Sequence, residues 1–293
     1  MKNISIIIII QVLLAAGCSE NLNKEGNILS VSILPQKYFA EQIAGPDYKI
    51  NVLIPPGASP ASYEPSPRQM QELANSDVYL RIGEIAFEKT WIRKYQDSNP
   101  GLPFFNVSKG IELIYSEHDH EEEDGHEEHE THRHEGADPH VWMSPENARI
   151  IAKNTFEALS ETYPSDADHF LEGYKGLLQT IDEIDSLFEI HLPALREKEF
   201  LIYHPALTYL ARDYGMKQHV LEFEGKEPPP SHIAKIIETA RKHGIEFIFV
   251  QKQFSSDNAK SLSGEIGAKV ISIDPLNENW PEEMKTILNH LIQ

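Results

Sequence analysis

Residues Asp166–His191 read DADHFLEGYKGLLQTIDEIDSLFEIH, and their pattern decides how the rest of the chain is arranged. Apolar side chains fall at Phe170, Tyr174, Leu177, Leu178, Ile181, Ile184, Leu187 and Phe188, the spacing of one helical face. Pro164 and Pro193 bracket the run, and Ser165 stands where a helix cap would. About 26 residues at about 1.5 Å each make a rod on the order of 40 Å. Such a helix, spanning 164–193, is expected to join two bodies as one rigid connector. Only small rocking motions between them would then be allowed.

On either side, short β-rich runs alternate with helical stretches. Before the connector, Ile28–Leu34, Lys49–Ile54, Val78–Ile82 and Pro103–Asn106 read as strands, and Tyr38–Ile43, Pro67–Ala74 and Phe87–Tyr95 as helices. After it, Phe200–Tyr203, Gln218–Leu221, Phe247–Val250 and Val270–Ile273 are strand-like. Ala206–Tyr214, Ser231–His243 and Asp257–Ile266 are helical, with Ser231 as a cap. Alternation in both halves predicts an α/β protein of two lobes, each a mostly parallel sheet flanked by helices. The N-terminal lobe is expected over 28–163 and the C-terminal lobe over 194–293.

Residues 1–18 read as a processing signal. Lys2 precedes an apolar run from Ile4 to Leu14, too short for a stop-transfer helix, and Ala15, Ala16 and Gly17 lead to Cys18. Cys18 is the only cysteine, so no disulfide forms within the chain; a buried thiol is the plain alternative. Small residues ahead of a lone Cys resemble a bacterial lipoprotein cleavage site, although Ala15 stands three before the Cys. The resemblance implies a lipidated Cys18, a polar tether over 19–27 and anchoring to a bacterial membrane from the extracytoplasmic side. The net charge of −20 argues against a nucleic-acid partner and is natural for a cation binder. Much of that charge is local, in the stretch 117–135.

Within that stretch His118, His120, His126, His129, His132 and His134 alternate with acids, and almost nothing is apolar. It cannot bury enough surface to order itself and is expected to be a mobile loop. Six of the chain's fourteen histidines lie in the seventeen residues from His118 to His134, an array suited to zinc, copper or nickel. A solvated acidic loop with incidental histidines is the bland alternative.

Three further residues stand out: His140 in Asp138-Pro139-His140-Val141-Trp142, directly after the His-rich stretch, and, at strand ends, His204 in Tyr203-His204-Pro205-Ala206 and Asp274 in Ile273-Asp274-Pro275-Leu276. In an α/β lobe the C-terminal ends of strands face the ligand crevice. Each residue taken singly also fits an ordinary role, as a satisfied histidine or as a turn residue before proline. Spacing alone does not decide between these and a shared His/His/carboxylate cluster.

Those motifs, preceded by Pro55-Pro56-Gly57-Ala58-Ser59-Pro60 and Tyr63-Glu64-Pro65 and interleaved with Glu227-Pro228, resemble the zinc/manganese receptor family of ABC transporters over nearly all of 28–293. The resemblance implies two α/β lobes joined by a long helix, with metal held between them. It makes His140 the N-lobe imidazole ligand, and His204 and Asp274 the C-lobe ligands. One family histidine is replaced here by Ala61, whose methyl group cannot coordinate metal. Water, a loop histidine or Glu64 would complete a four-coordinate site.

The segment Glu222–Ser231 would border the cleft, and Gln253 would hydrogen-bond a ligand residue. Zinc rather than manganese is expected, from the His-rich loop and the two nitrogen donors. The expected function is a monomeric, non-enzymatic receptor handing the cation to an ABC permease. Two alternatives are a zinc hydrolase using an open coordination position and a surface buffer or adhesin acting through its loop. Against the hydrolase, the chain has no HExxH run and no G-x-S-x-G elbow.

Overall fold

The computed structural model describes residues 27–115, 136–223, 228–255 and 257–293. Cys18, tether residues 19–26, the six loop histidines and Glu227 lie outside the described residues, and Asn27, expected in the tether, opens the first strand.

Strands β1 (Asn27–Val31), β2 (Tyr48–Val52), β3 (Val78–Arg81) and β4 (Phe104–Asn106) alternate with helices α1 (Leu34–Ala44), α2 (Pro67–Ala74) and α3 (Ala86–Ser98). They form a parallel sheet of order β2-β1-β3-β4. A 3₁₀ turn (Val141–Met143), α4 (Pro145–Thr162), α5 (Ala167–Ile190) and α6 (Leu192–Leu195) follow. The second lobe repeats the plan. Strands β5 (Glu199–Ile202), β6 (Lys217–Val220), β7 (Phe247–Gln251) and β8 (Lys269–Ile273) alternate with α7 (Thr208–Asp213), α8 (Pro230–His243) and α9 (Asp257–Ile266), and α10 (Trp280–Leu291) closes the chain. The order β6-β5-β7-β8 is again wholly parallel. All five residues of β7, Phe-Ile-Phe-Val-Gln, are buried, as expected of a parallel strand covered on both faces. No helix among the described residues is long and apolar enough to cross a membrane.

Several boundaries differ from the sequence reading for local reasons. The first strand stops at Val31, because Gln36 Oε1 accepts the backbone N–H groups of Ser32 and Ile33 and turns the chain into α1. The connector helix begins at Ala167. Pro164–Asp166 form a separate 3₁₀ turn, and Ser165 bonds Asp166 rather than capping α5. Ser231 does not cap α8 either; Pro229 holds the N-cap position, and its carbonyl accepts from His232 and Ile233.

Two helices were not legible. Half of the buried positions of α4 are Ala or Thr, which give a weak apolar signal, and α10 lies beyond the last strand. Both pack on α5, as does α1. At Gly173 a side chain would collide with the carbonyls of Gln42 and Ile43, so this glycine permits the close approach of α5 to α1. The long helix α5 joins the lobes with α1, α4 and α10 packed along it; one apolar cluster runs from Leu29 through α5 to Leu291, and a second, smaller one lies in the C-terminal lobe around Leu201, Ile248 and Leu262.

At the end of β3, buried Glu88 accepts from Ile82 N (2.8 Å), Gly83 N (2.5 Å) and the Ser32 hydroxyl, holding the loop that enters α3. Burial pushes its carboxyl up to about 7, against those hydrogen bonds, which favour the charged form. The folded state thus keeps a proton that the unfolded chain loses above its ordinary value of 4.5. Glu88's contribution to stability is full below that value and is lost as pH rises through 7. Between pH 5 and pH 8, Glu88→Gln should gain on the order of 2–3 kcal/mol relative to wild type. Guanidinium unfolding of both metal-free proteins at the two pH values measures this. Parallel pH dependences would refute it.

Candidate metal centre

In each sheet the strand order reverses beside the first strand, between β1 and β3 and between β5 and β7. Ligands of doubly wound sheets gather at the C-terminal strand ends near such points. The two edges face each other across a crevice of about 610 Å³, lined by Ser59–Ala61, Glu84–Ala86, Gly136–His140, His204–Ala206, Gln253 and Pro275 among others. That volume is many times the roughly 30 Å³ of one water, so a cation could enter hydrated.

Two imidazoles meet there. His204 stands just past β5, where buried Gln251 grips its backbone, accepting from His204 N at 3.3 Å and donating to His204 O at 2.5 Å. His140 is fixed by Asp138, whose Oδ1 accepts the His140 backbone N–H at 2.8 Å and faces ring Nδ1 at 2.8 Å. Glu222 Oε1 faces Nδ1 of His204 at 2.7 Å in the same way.

With a carboxylate behind each Nδ1, each ring is left with Nε2 as its free donor. This is the arrangement that sets tautomer and basicity in metal-binding histidines. Burial works to raise the Asp138 carboxyl, but the His140 charge and hydrogen bonds from His140 and Thr208 hold it below the ordinary value. The two ring centroids are 5.1 Å apart. Two imidazoles sharing one tetrahedral zinc at about 2.0–2.1 Å would place their centroids about 5.2 Å apart.

Asp274 is placed differently. Its Oδ1 accepts from Gln253 Nε2 at 3.0 Å and from Leu276 N at 3.2 Å, and its Oδ2 lies 3.4 Å from Lys252 Nζ. Among the described residues no three His, Cys, Asp or Glu side chains form a group that could hold a metal ion. The His140/His204/Asp274 set is therefore not assembled in this conformation, in which the Asp274 carboxylate holds an amide, an N–H and an ammonium. Ala61 lines the crevice and presents only its methyl. Glu64 is exposed and is not among the lining residues. Glu84 does line the crevice, paired with Lys89 at 2.8 Å.

The sequence model described as "ZnuA: Zinc-uptake complex component A periplasmic" matches residues 30–293. The chain belongs to the ZnuA family. It is 30% identical to the high-affinity zinc uptake system protein ZnuA of Bacillus subtilis over 291 residues, covering 95% of this chain and 90% of the relative. It is 27% identical to the zinc-binding lipoprotein AdcA of Streptococcus pneumoniae (strain ATCC BAA-255 / R6) over 99% of this chain, but spans only 58% of AdcA. A crystal structure of ZnuA superposes with a TM-score of 0.82 at 28% identity, covering 92% of this chain and 98% of that one.

Within this ZnuA-family fold, sequence reasoning assigned no role to Asp138, Trp142 or Gln251, and treated Glu222 only as part of a cleft-bordering segment. A signal for Asp138 was present, since Asp-x-His lets the carboxylate accept the histidine's own N–H. Trp142 is buried and donates to Pro275 O at 2.7 Å, and Trp280 Nε1 donates back to Trp142 O at 2.8 Å. This reciprocal pair ties the His140 turn to the Asp274 turn across the lobes. Tyr115 bridges Ala137, and Asp138 N donates to Ile114 O at 2.8 Å, so both ends of the His-rich stretch leave from the crevice rim.

Proposed function

We propose that this chain is an extracytoplasmic receptor that captures zinc between its lobes and delivers it to an ABC importer. The supporting observation is the meeting of His140 and His204 from opposite lobes, each with a carboxylate behind Nδ1. His140, His204 and Asp274 are the proposed ligands, with Asp274 freed from its present partners on loading. Water fills the position that Ala61 leaves open. Manganese is the less fitting cargo, since oxygen-rich sites suit it better. The relatives named as zinc-binding lipoprotein and zinc-uptake protein support this reading over a hydrolase or a loop-borne buffer.

We further infer that Cys18 carries the lipid anchor, that the receptor works as a monomer, and that the lobes are 28–163 and 194–293. The loop 117–135, with its six histidines, would act as an auxiliary metal collector.

Zinc titration of the mature protein with and without residues 117–135 tests the proposal. The deletion should remove the weaker sites and leave one tight equivalent, which Ala61→His should bind more tightly. Loss of all tight binding with the loop would instead make the chain a buffer.

A further inference from the structure

Strands β7 and β8 pair in parallel with Gln251 opposite Ile273, and Lys252 N continues the ladder by donating to Ile273 O at 3.1 Å. That register brings the next residues, Lys252 and Asp274, side by side at the crevice edge. One carboxylate oxygen of Asp274 is taken by neutral donors, Gln253 Nε2 and Leu276 N. The other, Oδ2, faces the Lys252 ammonium at 3.4 Å. The oxygen left free of neutral donors among these contacts is thus the one facing a positive charge.

We propose that Lys252 is a built-in competitor for the cargo, a residue that sets affinity and release rate. Its ammonium occupies Asp274 Oδ2 in the empty receptor, is displaced as the divalent cation arrives, and returns to the carboxylate as the cation leaves. Displacement is easy, because the Lys252 side chain is 60% exposed whereas Asp274 is only 18% exposed. A point charge on a flexible four-carbon stem can swing into water without breaking other packing. The bound state gains the metal–carboxylate contact but loses the ion pair and keeps an ammonium near a divalent ion. Both effects weaken binding and favour release. The proposal rests on the reading that Asp274 is a ligand.

The test compares wild type, Lys252→Gln, Lys252→Arg, Asp274→Asn and the Lys252→Gln/Asp274→Asn double variant of the full mature chain. Zinc affinity is measured by chelator competition, and release by a chelator chase. Exposure and solvent screening keep the expected effect modest. Lys252→Gln should bind zinc about two- to fivefold more tightly and release it correspondingly more slowly, while Lys252→Arg stays near wild type. In the Asp274→Asn background the same Lys252 change should have no effect on affinity.

If Lys252→Gln leaves affinity unchanged or weakens it while Asp274→Asn still impairs binding, the competitor role is overturned. An equal gain in the Asp274→Asn background also overturns it, since the lysine would then act through general charge. If Asp274→Asn itself binds zinc as wild type does, Asp274 leaves the site and both readings fall.

Discussion

His204→Ala should lower zinc affinity at the interlobe site by more than about 100-fold. Loss of a residue behind a metal-bound histidine already costs about 10- to 100-fold, so removal of the donor itself is expected to exceed that range. The substitution takes one of the two nitrogen donors that meet across the crevice and leaves Glu222 facing open space. Folding should be little disturbed, because the ring sits at the crevice rim, and its backbone is held by Gln251 whatever the side chain. Glu222→Gln should fall between the two proteins, since it keeps the ligand but loses the group that orients it. Competition titration against a zinc chelator, in the background lacking 117–135, resolves all three. Unchanged affinity in His204→Ala would remove this residue from the site.

The largest stability effect is expected at Trp142. Its side chain is 1% exposed, packs in the core shared by the two lobes, and donates to Pro275 O. Truncation to Ala leaves a cavity and an unpaired carbonyl, and a loss of about 3–5 kcal/mol follows. Trp142→Phe retains most of the ring but not the indole N–H, and should lose about 1–2 kcal/mol. The hydrogen bond it removes links the turn bearing His140 to the turn bearing Asp274, so zinc affinity should drop as well. Denaturant unfolding of the metal-free proteins gives the first quantity and chelator competition the second. A Trp142→Ala protein within about 1 kcal/mol of wild type would show that the lobes do not depend on this contact.

Local pattern alone was enough for the two parallel lobes, because alternating β-rich and amphipathic runs leave few ways to bury both. It was enough for α5, whose apolar stripe at Phe170, Leu177, Ile181, Ile184 and Phe188 is buried as its spacing requires. It also put His204 and Asp274 at strand ends, where such folds keep their ligands, whereas His140 stands at the start of a 3₁₀ turn. Most of its misses share one cause. The small residues of α4, the hydrogen bonds of Trp142 with Pro275 and Trp280, and Glu222 behind His204 take their roles from partners not adjacent in the chain, whereas Asp138 lies two residues from the imidazole it holds.

Sequence by itself determined which chemical groups are available: two imidazoles, one acid, and a methyl at Ala61 where a donor would complete the set. Only the tertiary structure decided how they stand. The β7–β8 register lays Lys252 and Gln253 against Asp274, so the carboxylate is satisfied by its neighbours while the imidazoles face each other. The physical reason is that a buried or half-buried charge takes the nearest partner that the folded backbone offers. That partner is set by strand pairing rather than by distance along the chain.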